Sequence, residues 1–175
     1  VESLANIPDI ILHGAAWFRS LARLLSAAGT KLFCVSGHVR HPACVELPLG
    51  VELGELIDGS CGGMRPGSLF KACLPGGAST PYLTAAHLNL QLDFDTVAAA
   101  GSRLGTGGVV VFDQNTCMVA ASLNLVRFYA RESCGWCTPC RDGLPWSVKL
   151  LQAIENGEGQ DGDIEVLEQM THFLG

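Results

Sequence analysis

Three cysteines fall within one short run, Glu132-Ser133-Cys134-Gly135-Trp136-Cys137-Thr138-Pro139-Cys140-Arg141-Asp142-Gly143. Thiols at this C-x-x-C-x-x-C spacing suit a compact loop folded around a metal centre, and an iron–sulfur cube takes one sulfur on each iron. Gly135 lets backbone approach such a centre closely, and Pro139 stiffens the loop. A thiolate-ligated cluster is an anion, so nearby positive charge stabilises it. Arg141 follows the third thiol directly, and a helix expected to begin near Leu144 would point its positive end back at the run. Trp136 is suited to shielding the site from water. Two other chemistries fit part of the pattern. A structural zinc site pairs two knuckles, and no second C-x-x-C or histidine pair is present. A thioredoxin-like pair needs two cysteines at a helix start inside a βαβ unit, whereas three stand here.

A four-iron cube also needs a fourth ligand. In the simple ferredoxin run it comes three residues after the third cysteine, a position held here by Leu144. No cysteine follows Cys140. Cys117 reads as a core thiol of the preceding helix, and His172 is a weaker donor. The cluster is therefore expected to be unfinished within this chain. The remaining cysteines are scattered singly. Cys34, Cys44 and Cys73 sit in strand-like runs and are expected to be packed, while Cys61, beside Gly62-Gly63, is expected to be the most reactive of them.

Hydrophobic periodicity divides the rest of the chain. Ile7, Ile11, Phe18, Leu21 and Leu25 recur at helical steps, with Asn6 as N-cap, Pro8 in the first turn and Gly29 as the stop. From Lys31 the pattern becomes short and strand-like: Leu32–Val35, Ala43–Leu47, Leu69–Leu74 and Val109–Phe112, with a short helix over Val51–Ile57. Gly105-Thr106-Gly107-Gly108 lacks both the G-x-G-x-x-G pattern and a following Lys-Ser/Thr, so it is a turn into a strand and not a nucleotide loop. After Asp113 the pattern is helical again. Met118, Ser122, Leu125 and Tyr129 lie on one stripe, a second helix covers Pro145–Ile154, and a third starts at Asp163 with Ile164, Leu167 and Phe173 as its buried residues. The fold class expected is α+β.

Composition narrows the function. Eleven Lys+Arg against seventeen Asp+Glu give a net charge of −6, which excludes a nucleic-acid backbone as the natural partner. No apolar run is long enough to enter a bilayer; the stretch Ile7–Leu25 is broken by Asp9, His13, Arg19 and Arg23. The 175 residues begin with Val1 rather than Met and show no signal peptide, so either a removed leading segment or a piece of a longer chain is expected.

With these residues assembled, the sequence resembles the NADH-oxidising flavoprotein subunit of bacterial respiratory complex I, the NADH:quinone oxidoreductase. The E-S-C-G-x-C-x-P-C-R-x-G motif is matched completely. Resemblance continues through Gly29-Thr30-Lys31-Leu32-Phe33, Val35-Ser36-Gly37-His38-Val39, Gly62-Gly63-Met64-Arg65, Pro75-Gly76-Gly77 and Gly101-Ser102-Arg103-Leu104-Gly105-Thr106. It spans essentially the whole chain, but only about the second half of the family's flavoprotein.

The resemblance implies three parts. Residues 1–29 would be the tail and exit helix of a flavin- and NADH-binding domain. Residues 30–113 would be a small β-grasp module of the soluble-ligand-binding type. Residues 114–175 would be an all-α bundle, incomplete at its C-terminus, carrying a [4Fe-4S] cluster on Cys134, Cys137 and Cys140, with the fourth cysteine shortly beyond Gly175. Arg141 would tune the cluster electrostatically. Ser3, in Val1-Glu2-Ser3, would keep the hydroxyl that approaches FMN, though most of the FMN and NAD sites would lie outside this sequence. Electrons would pass from NADH through FMN to the cluster and on toward quinone. The reaction needs no catalytic acid or base here, and His13, His38, His41 and His87 read as surface or hydrogen-bonded residues. The implied partners are the small thioredoxin-like [2Fe-2S] subunit and the large iron–sulfur subunit, on the cytoplasmic side of the bacterial inner membrane. The chain alone is expected to oxidise no NADH. Two alternatives stand beside this reading: the diaphorase subunit of an NAD-linked hydrogenase or formate dehydrogenase, and a β-grasp interaction module with a structural zinc.

Overall fold

The computed structural model describes residues 2–174 and divides into two units, Val1–Asn115 and Thr116–Gly175. Val1, expected in the flavin-side segment, and Gly175, expected at the end of the last helix, lie outside the described residues.

The single helix expected over Ile7–Leu25 is instead three short ones, α1 (Glu2–Ala5), α2 (Ile7–His13) and α3 (Ala15–Ser20). The break falls at Gly14, whose φ of 87° and ψ of 161° belong to a region that side-chain-bearing residues avoid. Asn6 is helical and does not cap; its Nδ2 donates to the Glu2 carbonyl at 3.1 Å and ties α1 to α2. Ile11 and Leu12 are both 77% exposed, so the apolar stripe is not buried along this segment.

Alternation with period two builds the sheet. Its strands are β1 (Thr30–Gly37), β2 (Ala43–Pro48), β3 (Phe70–Leu74), the two-residue β4 (Leu83–Thr84) and β5 (Gly108–Asp113), in the order β2-β1-β5-β3-β4. β1 and β5 run parallel, and the other neighbouring pairs are antiparallel. In β1, Phe33 and Val35 face inward while Leu32, Cys34 and Ser36 are exposed. Val109 and Val111 of β5 are fully buried beside them. The core is completed by α4 (Leu53–Glu55), the wide helical turn Leu56–Ser60 and α5 (Phe94–Ala99), through Leu53, Leu56, Ile57 and Val97. Asp93 caps α5, its Oδ1 accepting from the Asp95 and Thr96 amides at 2.9 and 3.1 Å. β3 starts one residue later than expected, at Phe70; Leu69 before it is 70% exposed, and a register shift falls between Phe70 and Ala72.

The second unit is helical: α6 (Met118–Glu132), α7 (Leu144–Glu155) and α8 (Asp163–Leu174). α6 and α7 pack on each other, with Leu123 of α6 and Ser147 of α7 buried. Leu167 is half-buried as expected, but Ile164 and Phe173 are 69% and 74% exposed. The inward stripe of α8 is Asp163, Val166, Leu167, Met170 and Leu174, which follows the three- and four-residue steps more closely. The molecule is thus α+β, with a five-stranded mixed sheet followed in sequence by helices.

Candidate metal centre

The cysteine run joins α6 to α7. α6 ends where the Ser133 amide donates to the Tyr129 carbonyl at 2.9 Å and Ser133 turns to an extended ψ of 134°. The Ser133 hydroxyl then accepts from the Gly135 amide at 3.2 Å, which shapes the turn at Cys134. A helical turn of π type, Pro139–Gly143, follows and runs straight into α7. α7 itself starts at Leu144 with Pro145 in its first turn, as expected, and the added turn extends the helical run back to Pro139, whose missing N–H costs nothing at that position. The consequence is chemical: Cys137 stands at the helix's positive end and Cys140 in its first turn.

Cys134 and Cys137 are exposed, Cys140 is half-buried, and all three are free thiols. Among the described residues no three His, Cys, Asp or Glu side chains are gathered closely enough to hold a metal ion. Hydrogen bonds of Ser133, Gly135 and Arg141 shape the backbone of the run, and among the described residues none draws the three thiols to one point. The donor set itself, three accessible soft thiols opening a helix, fits an iron–sulfur cluster in chemistry. Trp136 is 85% exposed and covers none of the thiols from water here, contrary to the shielding expected of it. Arg141 is exposed, with its guanidinium 3.3–3.4 Å from the Asp142 carboxylate and 3.5 Å from the Thr138 hydroxyl.

Cys117 is not the core thiol the sequence suggested. It is exposed at the start of α6, donating through Sγ to Glu155 Oε2 at 3.1 Å. The length of α6 puts it about 22 Å from the run, since a helix rises ~1.5 Å per residue. Cys117 cannot complete the site. α8 ends on the other side: a side chain at Gly143 would meet Leu174 Cδ2 at 3.8 Å and Met170 Cε at 3.9 Å. His172 is exposed in that same last turn.

Ser3 opens onto a cavity of about 240 Å³ that Asn6, Ile10, Phe18, Lys31 and Phe94 also line. Glu2 anchors this corner, its Oε1 accepting from the Leu32 amide at 2.7 Å and its Oε2 lying 3.2 Å from Lys31 Nζ. The Leu32 hydrogen bond, and then Lys31, hold the Glu2 carboxyl below its ordinary value against the opposing effect of burial. One hydroxyl and one neutralised lysine do not make a cradle for a phosphate, so these residues alone do not fit FMN or NADH. The histidines are tied locally: His38 Nδ1 accepts from the Asp113 amide at 3.1 Å, and His87 Nδ1 accepts from the Thr84 amide at 3.1 Å. Cys61 is fully buried and its thiol is pushed up by desolvation, so it is not the reactive member of the scattered set. Cys73 is packed, as expected, and burial pushes its pKa up to about 12.

Residues 120–175 match the family described as the NADH-ubiquinone oxidoreductase-F iron-sulfur binding region, and residues 32–83 match the SLBB domain. The whole chain is 53% identical to the F subunit of NADH-quinone oxidoreductase of Escherichia coli (strain K12) and covers 39% of that protein. Against the F subunit of Streptomyces coelicolor it is 49% identical, with 98% of this chain and 38% of the relative covered. Among solved structures, an NAD+-reducing [NiFe]-hydrogenase in the air-oxidized state superposes with a TM-score of 0.80 at 34% identity, over 97% of this chain and 28% of that one. The sequence thus spans about two-fifths of the length of the curated relatives it matches. Throughout that span it is similar to the NADH-quinone oxidoreductase F subunits, and it matches both the SLBB domain and the NADH-ubiquinone oxidoreductase-F iron-sulfur binding region.

Proposed function

We propose that this chain is the electron-relaying portion of an NADH dehydrogenase flavoprotein subunit of respiratory complex I. The observation that carries the reading is the placement of three free thiols at the opening of a helix, within the residues that match an iron–sulfur binding region. Cys134, Cys137 and Cys140 are the ligands in this proposal. When bound, a [4Fe-4S] cluster takes up and gives out single electrons, the step that lets a two-electron donor feed a one-electron chain. The protein's part is electrostatic. The positive end of the helix that starts at Pro139 and the Arg141 guanidinium both favour the anionic centre. The fourth ligand, expected shortly after Gly175, would leave α8 at the end whose Met170 and Leu174 approach Gly143.

The proposed parts are residues 1–29 as the flavin-side tail, 30–113 as a β-grasp module and 114–175 as the cluster-binding bundle. A β-grasp is supported by the parallel β1–β5 pair at the centre of a sheet whose flanking pairs are antiparallel. Ser3 is proposed to face FMN in the full-length protein, and no step is assigned to it here. The partners would be the small [2Fe-2S] and large iron–sulfur subunits, with the assembly peripheral to the cytoplasmic face of the bacterial inner membrane. Among the described residues no helix is long and apolar enough to cross a membrane. The similarity to the NAD+-reducing hydrogenase favours one second reading, a diaphorase subunit of that kind.

Anaerobic reconstitution with iron and sulfide tests the ligand set. Cys137→Ser should remove most of the bound iron and acid-labile sulfide, and Cys117→Ser should remove none. Equal losses would contradict the ligands, and stoichiometric zinc without sulfide would support the zinc module instead.

A further inference from the structure

Cys34 and Cys44 stand directly opposite each other on β1 and β2. The Cys34 amide donates to the Gly107 carbonyl at 2.9 Å, away from β2. A strand residue directs its N–H and C=O to the same side, so the Cys34–Cys44 couple is a non-hydrogen-bonded antiparallel pair. In such pairs the Cα atoms approach to about 4.5 Å and the side chains stand closest. That lies at the short end of the roughly 4.4–6.8 Å a disulfide spans. The two sulfurs are 2.8 Å apart. Both residues are exposed, contrary to the packed environment expected for them, because they lie on the sheet face opposite Phe33 and Val35. Hydrogen bonding to Cys34 raises the Cys44 thiol above its ordinary value, with desolvation and the negative charges of Cys34 and Glu2 adding to it.

The geometry points to a redox-modifiable cross-strand dithiol, Cys34 and Cys44, which closes to a disulfide by exchange with a small-molecule disulfide. One of the two protein thiols, as its thiolate, attacks one sulfur of the small disulfide, breaks its S–S bond and expels one thiolate. The opposite protein thiol gives up its proton and attacks the protein sulfur of the mixed disulfide, expelling the second small thiolate. One protein S–S bond forms and one small-molecule S–S bond breaks. The two protein thiols are oxidised by two electrons, and the two protons end on the two small thiols. The register already opposes the two residues, so closure leaves the β1–β2 pairing in place. This pair is independent of the cysteine run and of the function proposed for it.

The test is a non-reducing peptide map of the full chain after anaerobic incubation with glutathione disulfide and quenching with an alkylating agent. Trypsin cuts after Arg40 but not between Arg65 and Pro66, so the bond would link Leu32–Arg40 to His41–Lys71. Fragmentation then assigns the partner as Cys44 or Cys61. The linked species should exceed the mixed adducts by about tenfold or more, because the second displacement is intramolecular. Cys44→Ser and Cys34→Ser should each form no link and should instead accumulate the glutathione adduct on the thiol that remains. Separate adducts on both thiols, reaction at neither, a bond to Cys61, or linkage that needs urea would each overturn the proposal.

Discussion

Leu123→Ala tests how much of the helical unit's stability the polypeptide provides by itself. Leu123 is 3% exposed and is the one large apolar side chain buried among the described residues of Thr116–Gly175, where α6 packs on α7. A fully buried leucine truncated to alanine costs about 2.7–5.0 kcal/mol, lost transfer energy plus the cavity left behind. Small domains carry roughly 0.05–0.15 kcal/mol of stability per residue, so a unit of this length has about 3–9 kcal/mol to lose. With so little core besides Leu123, the lower end is the relevant one, and the substitution should bring the apo unit close to its midpoint. Hydrogen exchange resolved by segment reads the effect directly. Protection of α6 and α7 amides should fall about 100-fold, at about 1.4 kcal/mol per factor of ten. Reconstituting iron and sulfide should restore part of it, because a ligand that binds only the folded form adds its binding energy to stability. Unchanged protection in α6 and α7 would refute the packing argument. A loss that iron and sulfide leave untouched would refute the coupling of cluster to fold.

Gly37→Ala should destabilise the sheet unit by about 2–5 kcal/mol, read by urea unfolding, since left-handed backbone strain adds to overpacking. Its φ is +92°, and a Cβ there would lie 2.1 Å from the Val111 carbonyl oxygen on the neighbouring strand. Glu2 predicts an acid-sensitive corner. Its carboxyl is depressed below 4.5 by the Leu32 amide, so the contact is fully formed above that value and lost as pH falls through the lower, folded one. The Leu32 amide resonance should follow this titration, and Glu2→Ala should abolish it; an amide indifferent to acid would rule the contact out. Arg141→Gln should leave iron content unchanged and lower the cluster potential by about 10–40 mV, an effect that shrinks with salt as expected for an exposed charge. A salt-independent shift, or none, would remove Arg141 from the electrostatics of the site.

The strands were legible as short apolar runs between turn residues, but not their faces: Leu32-Phe33-Cys34-Val35 is apolar throughout, and only the structure puts Phe33 and Val35 inward and Leu32 and Cys34 outward. What periodicity missed were elements too short to show it, β4 with two residues and α5 with six. α5 still had a signal in Asp93, whose side chain caps it. The first helix was over-read. Its apolar spacing continues through Gly14, but the glycine backbone angle breaks the helix, and of the stripe Phe18 and Leu21 are half-buried while Ile7, Ile11 and Leu25 are exposed. The start of α7 was legible, since Pro145 stands in its first turn as expected; the turn of π type over Pro139–Gly143 that leads into it was not, and there Gly143 has its open side toward Met170 and Leu174.

The cysteines show most sharply what a linear pattern can and cannot carry. A metal-binding run is local, so its spacing alone announces it, and Cys134, Cys137 and Cys140 needed no tertiary information. The chemistry of the other thiols depends on neighbours that the sequence does not place. Cys34 and Cys73 both lie in strand-like runs, yet one is exposed beside Cys44 and the other is buried with its pKa pushed up to about 12. Which strand face a residue occupies is fixed by register, and register is fixed by pairing partners distant in sequence. The same logic sorts Cys117. Its place at the head of α6, one helix length from the run, removes it from the ligand set on distance, a criterion that hydrophobicity could never have supplied. Reactivity in this chain therefore follows geometry: local spacing for the metal donors, cross-strand register for the exchangeable pair, and burial for the thiols that do nothing.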